Sequence, residues 1–211
     1  MRNKYEEEFQ RLNGSLINMG KMIEIAIENS MVALMGSDKD VAKQISENDE
    51  NINKLERDIE SLCIKLLLQQ QPVATDLRVV TAALKMVTDM ERIGDHAVDI
   101  ADLVIHLSDF KYGKMNEFTE MSSKIISMLH DAVQSFIQKD YNMAKNVIAM
   151  DDEIDELYHT VKKELIEKIR QTDEGEVILD YLLIVKFIER IGDHTVNIAR
   201  WVIYALVGDM E

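Results

Sequence analysis

A chain of 211 residues can bury a sizeable core and has room for one large domain or two small ones. Its formal net charge of −15 argues against nucleic acid and anionic lipid as partners, whose phosphates it would repel, and favours cations and basic protein surfaces. With 46% apolar residues, 13 methionines, 8 glycines and a single proline, the composition predicts an all-α protein.

In chain order, Phe9, Leu12, Leu16, Met19, Ile23, Ala26 and Ala33 fall at alternating three- and four-residue steps and form one helical stripe. Gly36-Ser37-Asp38 supplies a stop and a new N-cap. Val41, Ile45, Ile52, Leu55, Ile59, Leu62 and Leu66 mark a second helix, ending around Gln69-Gln70-Gln71-Pro72. Ala83, Val87, Met90, Gly94, Ala97, Ala101 and Val104 mark a third. The segment Asp109-Phe110-Lys111-Tyr112-Gly113 reads as a joint. Three further helices follow, over about 115–138, 141–170 and 176–207. Short connections force antiparallel neighbours, so the expected fold is two pseudo-symmetric antiparallel three-helix bundles packed together, over residues 1–110 and 111–211.

Cys63, the single cysteine, excludes an intrachain disulfide and fits a reducing compartment; its setting between Leu62 and Ile64 predicts a buried structural thiol. The acidic start of the chain shows no signal peptide, and the longest apolar runs, such as Leu182 to Val185 and Trp201 to Val207, are too short to span a bilayer. A soluble, cytoplasmic protein is expected.

The two halves share a motif. Glu91-Arg92-Ile93-Gly94-Asp95-His96 returns unchanged as Glu189-Arg190-Ile191-Gly192-Asp193-His194, 98 residues later (189 − 91). Such a recurrence points to a duplicated unit. At helical spacing Glu91 and Asp95 share one face, as do Glu189 and Asp193. Residues equidistant from a tight antiparallel turn stand at one height. About Pro72, Glu91 and Asn53 are each 19 residues away, and Asp95 and Asp49 each 23. About Thr172, Glu189 and Asp155 are each 17 away, and Asp193 and Asp151 each 21. Each hairpin thus sets an Asp-x-x-x-Asn/Asp pair against a Glu-x-x-x-Asp pair. Gly94 and Gly192, costing about 1 kcal/mol each against alanine in a helix, are expected to allow close helix approach or access at that level.

Gathered carboxylates repel one another and call for a compensating cation. Arg92 and Arg190 supply part of it unless they point elsewhere; a bound metal ion supplies the rest, and a solvated acidic face is the bland alternative. All-oxygen ligands suit Mg²⁺, Ca²⁺, Mn²⁺ or iron better than zinc. Asp99 and Asn197, one turn further on, extend each set. His96 and His194 lie about 100° round from the carboxylates and are expected to be edge ligands or hydrogen-bonded histidines.

The paired motifs, together with Gln71-Pro72-Val73-Ala74-Thr75-Asp76-Leu77-Arg78, resemble the PhoU family of phosphate-signalling proteins over nearly the whole chain. That resemblance implies two three-helix bundles whose acidic motifs bind metal clusters, iron foremost, with Zn, Mn or Mg as alternatives. It implies ligands Asp49, Asn53, Glu91, Asp95 and Asp99 in the first set and Asp151, Asp155, Glu189, Asp193 and Asn197 in the second. It also implies a cytoplasmic regulator of phosphate uptake that damps the phosphate-starvation response through PstB, the ATPase of the phosphate ABC transporter, and the sensor histidine kinase PhoR. A homodimer is expected if the methionine-rich helices pair through their surfaces, whereas a buried core accounts for the methionines as well. Catalysis is not expected. Di-iron bundles need Glu-x-x-His on two helices, whereas the chain offers only Glu156-Leu157-Tyr158-His159, with glycine where histidine would stand in both repeats. A metal-free acidic scaffold for a basic partner is the rival reading.

Overall fold

The computed structural model describes residues 2–69, 74–107 and 116–209, with side chains from residue 5 to 68 in the first of these. Six α-helices account for nearly all of them: α1 (Arg2–Gly36), α2 (Lys39–Gln69), α3 (Ala74–His106), α4 (Asn116–Gln138), α5 (Tyr141–Ile169) and α6 (Gly175–Val207). No strand occurs among the described residues. The turn expected at Pro72 and the joint expected at 109–113 lie outside them.

The first turn of each half is built the same way. Ser37 and Lys139 take left-handed φ values of 52° and 57° and end α1 and α4. The next amide, Asp38 or Asp140, donates 2.9 Å back to the carbonyl of Ala33 or Ser135, which satisfies an orphan carbonyl at the helix end. Each aspartate then opens the following helix. Asp38 Oδ1 accepts from the amides of Asp40 and Val41 at 3.1 Å, and Asp140 Oδ1 accepts from Met143 N at 3.0 Å.

Within each half the helices pack on one another in sequence, α1 with α2 and α3, α4 with α5 and α6. The halves meet through α3 against α6 and α1 against α4, while α2 and α5 lie outside and do not touch. The fold is the expected pair of three-helix bundles, sharing one continuous core. Met86, Met90, Ile93 and Ile100 of α3 are fully buried, as are Ile184, Val185, Ile198 and Val202 of α6. Several methionines serve as core filler here, Met19, Met86, Met90, Met121 and Met128 among them. α1 runs seven residues further back than its stripe indicates, with Tyr5 stacked on Phe9 at 6.2 Å and Glu8 held by Lys65 of α2 and Arg11. Cys63 is fully buried, and burial together with the nearby Glu60 pushes its thiol up to about 12.

Candidate metal-binding carboxylates and the cleft between them

The repeated glycines fix the height at which each hairpin closes. A Cβ on Gly94 would stand 3.3 Å from Ile52 Cδ1 and 4.0 Å from Asp49 Oδ1; one on Gly192 would stand 3.4 Å from Ile154 Cγ2 and 3.6 Å from Asp151 Oδ1. Close approach is therefore the glycines' structural role. It sets Asp49 beside the Gly94-Asp95 step and Asp151 beside Gly192-Asp193, the matched heights that counting outward from each turn predicts.

In the first hairpin the carboxylates strain against one another. Burial and then Asp95 and Glu56 push Glu91 up to about 7, against a partial relief from Arg92. Burial and Asp95 raise Asp49, and burial and Asp99 raise Asp95. Asn53 donates to Asp49 Oδ2 at 2.7 Å, while Asp49 Oδ1 and Asn53 Oδ1 are shut off from solvent without any hydrogen-bond partner. Buried orphan acceptors are costly unless something donates to or coordinates them. Glu56 belongs to this group, and the height rule missed it because that rule pairs residues across a hairpin. Glu56 instead sits next to the set along α2, three residues beyond Asn53, a spacing that carries the signal.

The second hairpin differs. Burial, Asp155 and Asp193 raise Asp151 to about 6, offset in part by Arg200. Glu189, however, has a cation of its own: Lys186 Nζ donates to its Oε1 at 2.6 Å and also sits 5.2 Å above the Tyr158 ring. The position equivalent to Lys186 in α3 is Thr88 (186 − 98), whose hydroxyl is spent on the Leu84 carbonyl. Asp99 Oδ2 lies 3.0 Å from His96 Nδ1 rather than standing alone, and Asn197 turns across the seam, its amide donating to Asp89 Oδ1 at 3.4 Å.

Sequence spacing treats the two motifs as separate sites, yet α3 and α6 bring them together. Glu91, Arg92, Asp95 and His96 face Arg190, Asp193 and His194 across one open polar cleft of about 530 Å³. The two imidazoles lie 5.6 Å apart. His96 stacks on Phe187 at 5.4 Å, whereas His194 Nδ1 meets Asp89 Oδ1 at 2.8 Å. Phe187 and Asp89 occupy equivalent positions (187 − 89 = 98), so the pseudo-twofold gives each histidine the same place and a different neighbour. Both are hydrogen-bonded histidines.

Among the described residues no three or more His, Cys, Asp or Glu side chains stand as a group ready to hold an ion. The first set nevertheless fits one chemically: it has two orphan buried oxygens, an all-oxygen donor set and too little positive charge nearby. The second set fits less well, because Lys186 already neutralises Glu189.

The PhoU domain family matches twice, over residues 16–104 and 118–202. The chain belongs to the PhoU family. A Clostridium acetobutylicum protein named as a phosphate-specific transport system accessory protein PhoU homolog is 36% identical over 98% of this chain and 96% of its own length. A PhoU homolog of the same description from Pseudomonas putida is 32% identical over 97% of this chain and 81% of its own. The crystal structure of PhoU from Pseudomonas aeruginosa is similar at a TM-score of 0.89 with 31% identity, covering 97% of this chain and all (100%) of that one. That of the phosphate transport system regulatory protein PhoU from Streptococcus pneumoniae is similar at a TM-score of 0.92 with 28% identity, covering 98% and 99%. One matched PhoU segment falls within α1–α3 and the other within α4–α6, so each carries one hairpin and one copy of the motif.

Proposed function

We propose that the protein is an accessory regulator of the phosphate-specific transport system that works by reversible docking, not by catalysis, with metal ions bound at its duplicated carboxylate sets. The observation that carries this reading is the double PhoU match coinciding with two acidic hairpins whose charges lack full compensation. Asp49, Asn53, Glu91 and Asp95, with Asp99 at the margin and Glu56 beside them, are the candidate ligands of the first set. Asp151, Asp155, Glu189 and Asp193 are those of the second, with Asn197 the most distant. An ion there, iron by family resemblance or Zn, Mn or Mg, supplies positive charge that pins each helix pair and resets the charge of the face a partner meets. PstB and PhoR are the proposed partners and the cytoplasm the proposed location. No described helix is long and apolar enough to cross a membrane, which suits attachment to a transport system through a membrane-bound partner. A homodimer is proposed as the working form, with exposed apolar side chains such as Leu179 and Leu183 of α6 available to it.

The metal-free scaffold keeps one specific support, the Lys186–Glu189 pair, which compensates charge without any ion. Metal analysis of protein purified without chelators separates the two readings: stoichiometric metal that is lost in Glu91→Ala plus Glu189→Ala supports bound ions. Pull-down of the transporter ATPase at high and low phosphate tests docking. Unchanged metal content and unchanged capture in the double variant would overturn the proposal.

A further inference from the structure

A second cavity, of about 250 Å³, opens between α1, α2 and α3 and shares no residue with the polar cleft. Its walls are mostly apolar, from Met22, Ile25 and Ala26 of α1, Ile45 and Ile52 of α2 and Val98 of α3. Among the described residues Asp49 is the only charged one lining it, and Gly94 lies beside that carboxylate. Asp49 Oδ1 has no hydrogen-bond partner, and no lysine or arginine is among the lining residues.

The second half carries a charged pair at the equivalent positions. The first turns of the two halves align at an offset of 102 (140 − 38), which makes Met22 equivalent to Lys124 and Asn51 to Glu153. There Lys124 Nζ ties α4 to α5 by donating to Glu153 at 2.6 Å, with Glu120 3.9 Å away. The first half has lost both members of that pair, and its groove is left with an acid and no cation.

From this contrast we infer that the groove between α1, α2 and α3 receives a lysine or arginine side chain from a basic protein partner, its aliphatic stem on Met22, Ile25 and Ile52 and its charged head at Asp49. Long basic side chains bury their stems on apolar surface and keep the head for a counter-charge. Arginine is enriched among the residues that anchor protein interfaces. The chain's net charge of −15 favours a basic partner over an acidic one. Met22, flexible and only partly buried, is among the lining residues and can shift as the head reaches a carboxylate oxygen that is otherwise closed to water. The inference rests on the docking reading and, because Asp49 is also a candidate metal ligand, it concerns the groove of the metal-free protein.

The test uses the full chain, in chelator, carbon-13 labelled at methionine and isoleucine methyls. n-Butylguanidinium is titrated as probe, with n-pentanol as the uncharged control. Saturable shifts of the Met22 and Ile52 methyls are expected with the cation, at least about tenfold weaker with the alcohol, equivalent to about 1.4 kcal/mol. Met22→Lys with Asn51→Glu copies the second half at unchanged net charge and, with the Met22 methyl gone, should abolish the shift of Ile52. Should that variant fail to fold by circular dichroism, Ile25→Arg, at an exposed position, places a guanidinium over the groove and should weaken the probe likewise. Equal binding of the alcohol, no saturable shift, or shifts that survive both variants would overturn the inference. Those outcomes concern only this groove; docking to the transport system is judged by the pull-down.

Discussion

Replacing Glu91 by glutamine in metal-free protein should make the fold more stable at alkaline pH and less sensitive to pH. Glu91 titrates near 7 in the folded chain against 4.5 when unperturbed, so the folded state binds this proton more tightly than the unfolded state does. Stability therefore falls as pH rises from 4.5 through about 7, and the loss persists above that. Each pH unit of displacement corresponds to about 1.4 kcal/mol for a group shielded from solvent. Glu91 is only half-buried, and screening reduces the expected gain of Glu91→Gln to about 1–2 kcal/mol near pH 8, falling to nothing near pH 4. Urea unfolding in chelator at several pH values measures it. Adding a divalent ion should reverse the order, because the ion stabilises only the chain with its carboxylate. If the variant kept the wild-type pH slope in chelator, or were less stable near pH 8, the carboxylates of the first hairpin would not be in conflict and the case for an ion among them would fail.

Three other outcomes follow from the same geometry. Lys186→Thr, which copies Thr88, should cost at most about 1 kcal/mol of stability and tighten Mn²⁺ binding at the second set by about threefold in calorimetric titration, since Glu189 is released. Cys63, buried and with its thiol pushed up to about 12, should resist iodoacetamide in the folded protein near pH 8 and react once urea unfolds it; mass spectrometry reads the adduct. Gly208→Ala should destabilise by about 1–2 kcal/mol in thermal or urea unfolding, because Gly208 ends α6 at a φ of 85° and a Cβ there would meet Arg78 Nη1 at 2.5 Å.

The helices were legible because burial in a bundle imposes its period on the sequence: the stripe from Ala83 to Val104 is the face of α3 that the structure buries. The hairpin heights were legible too, since an antiparallel pair returns along its own path, and Gly94 against Ile52 and Asp49 is where counting puts it. What periodicity does not encode is which helix covers a given stripe. The meeting of α3 with α6 is a contact between elements far apart in the chain, so the shared cleft and the approach of His96 to His194 had no local signal. The 100° rule places His96 off the carboxylate face of its own helix, yet a cleft between two helices collects side chains from more than one face of each. Glu56 and Lys186 escaped for a related reason: each acts one turn along its own helix, outside a rule that compares heights across a turn.

The seam where α3 meets α6 also bears on how such a chain can be divided. The packing of α3 on α6 and of α1 on α4 joins the two halves in one continuous core, in which Ile93, Ile100, Ile191 and Ile198 are all buried. Fragments ending at residue 107 and starting at residue 116 would each carry an unfinished surface, and mixing them should restore one assembled particle from two polypeptides.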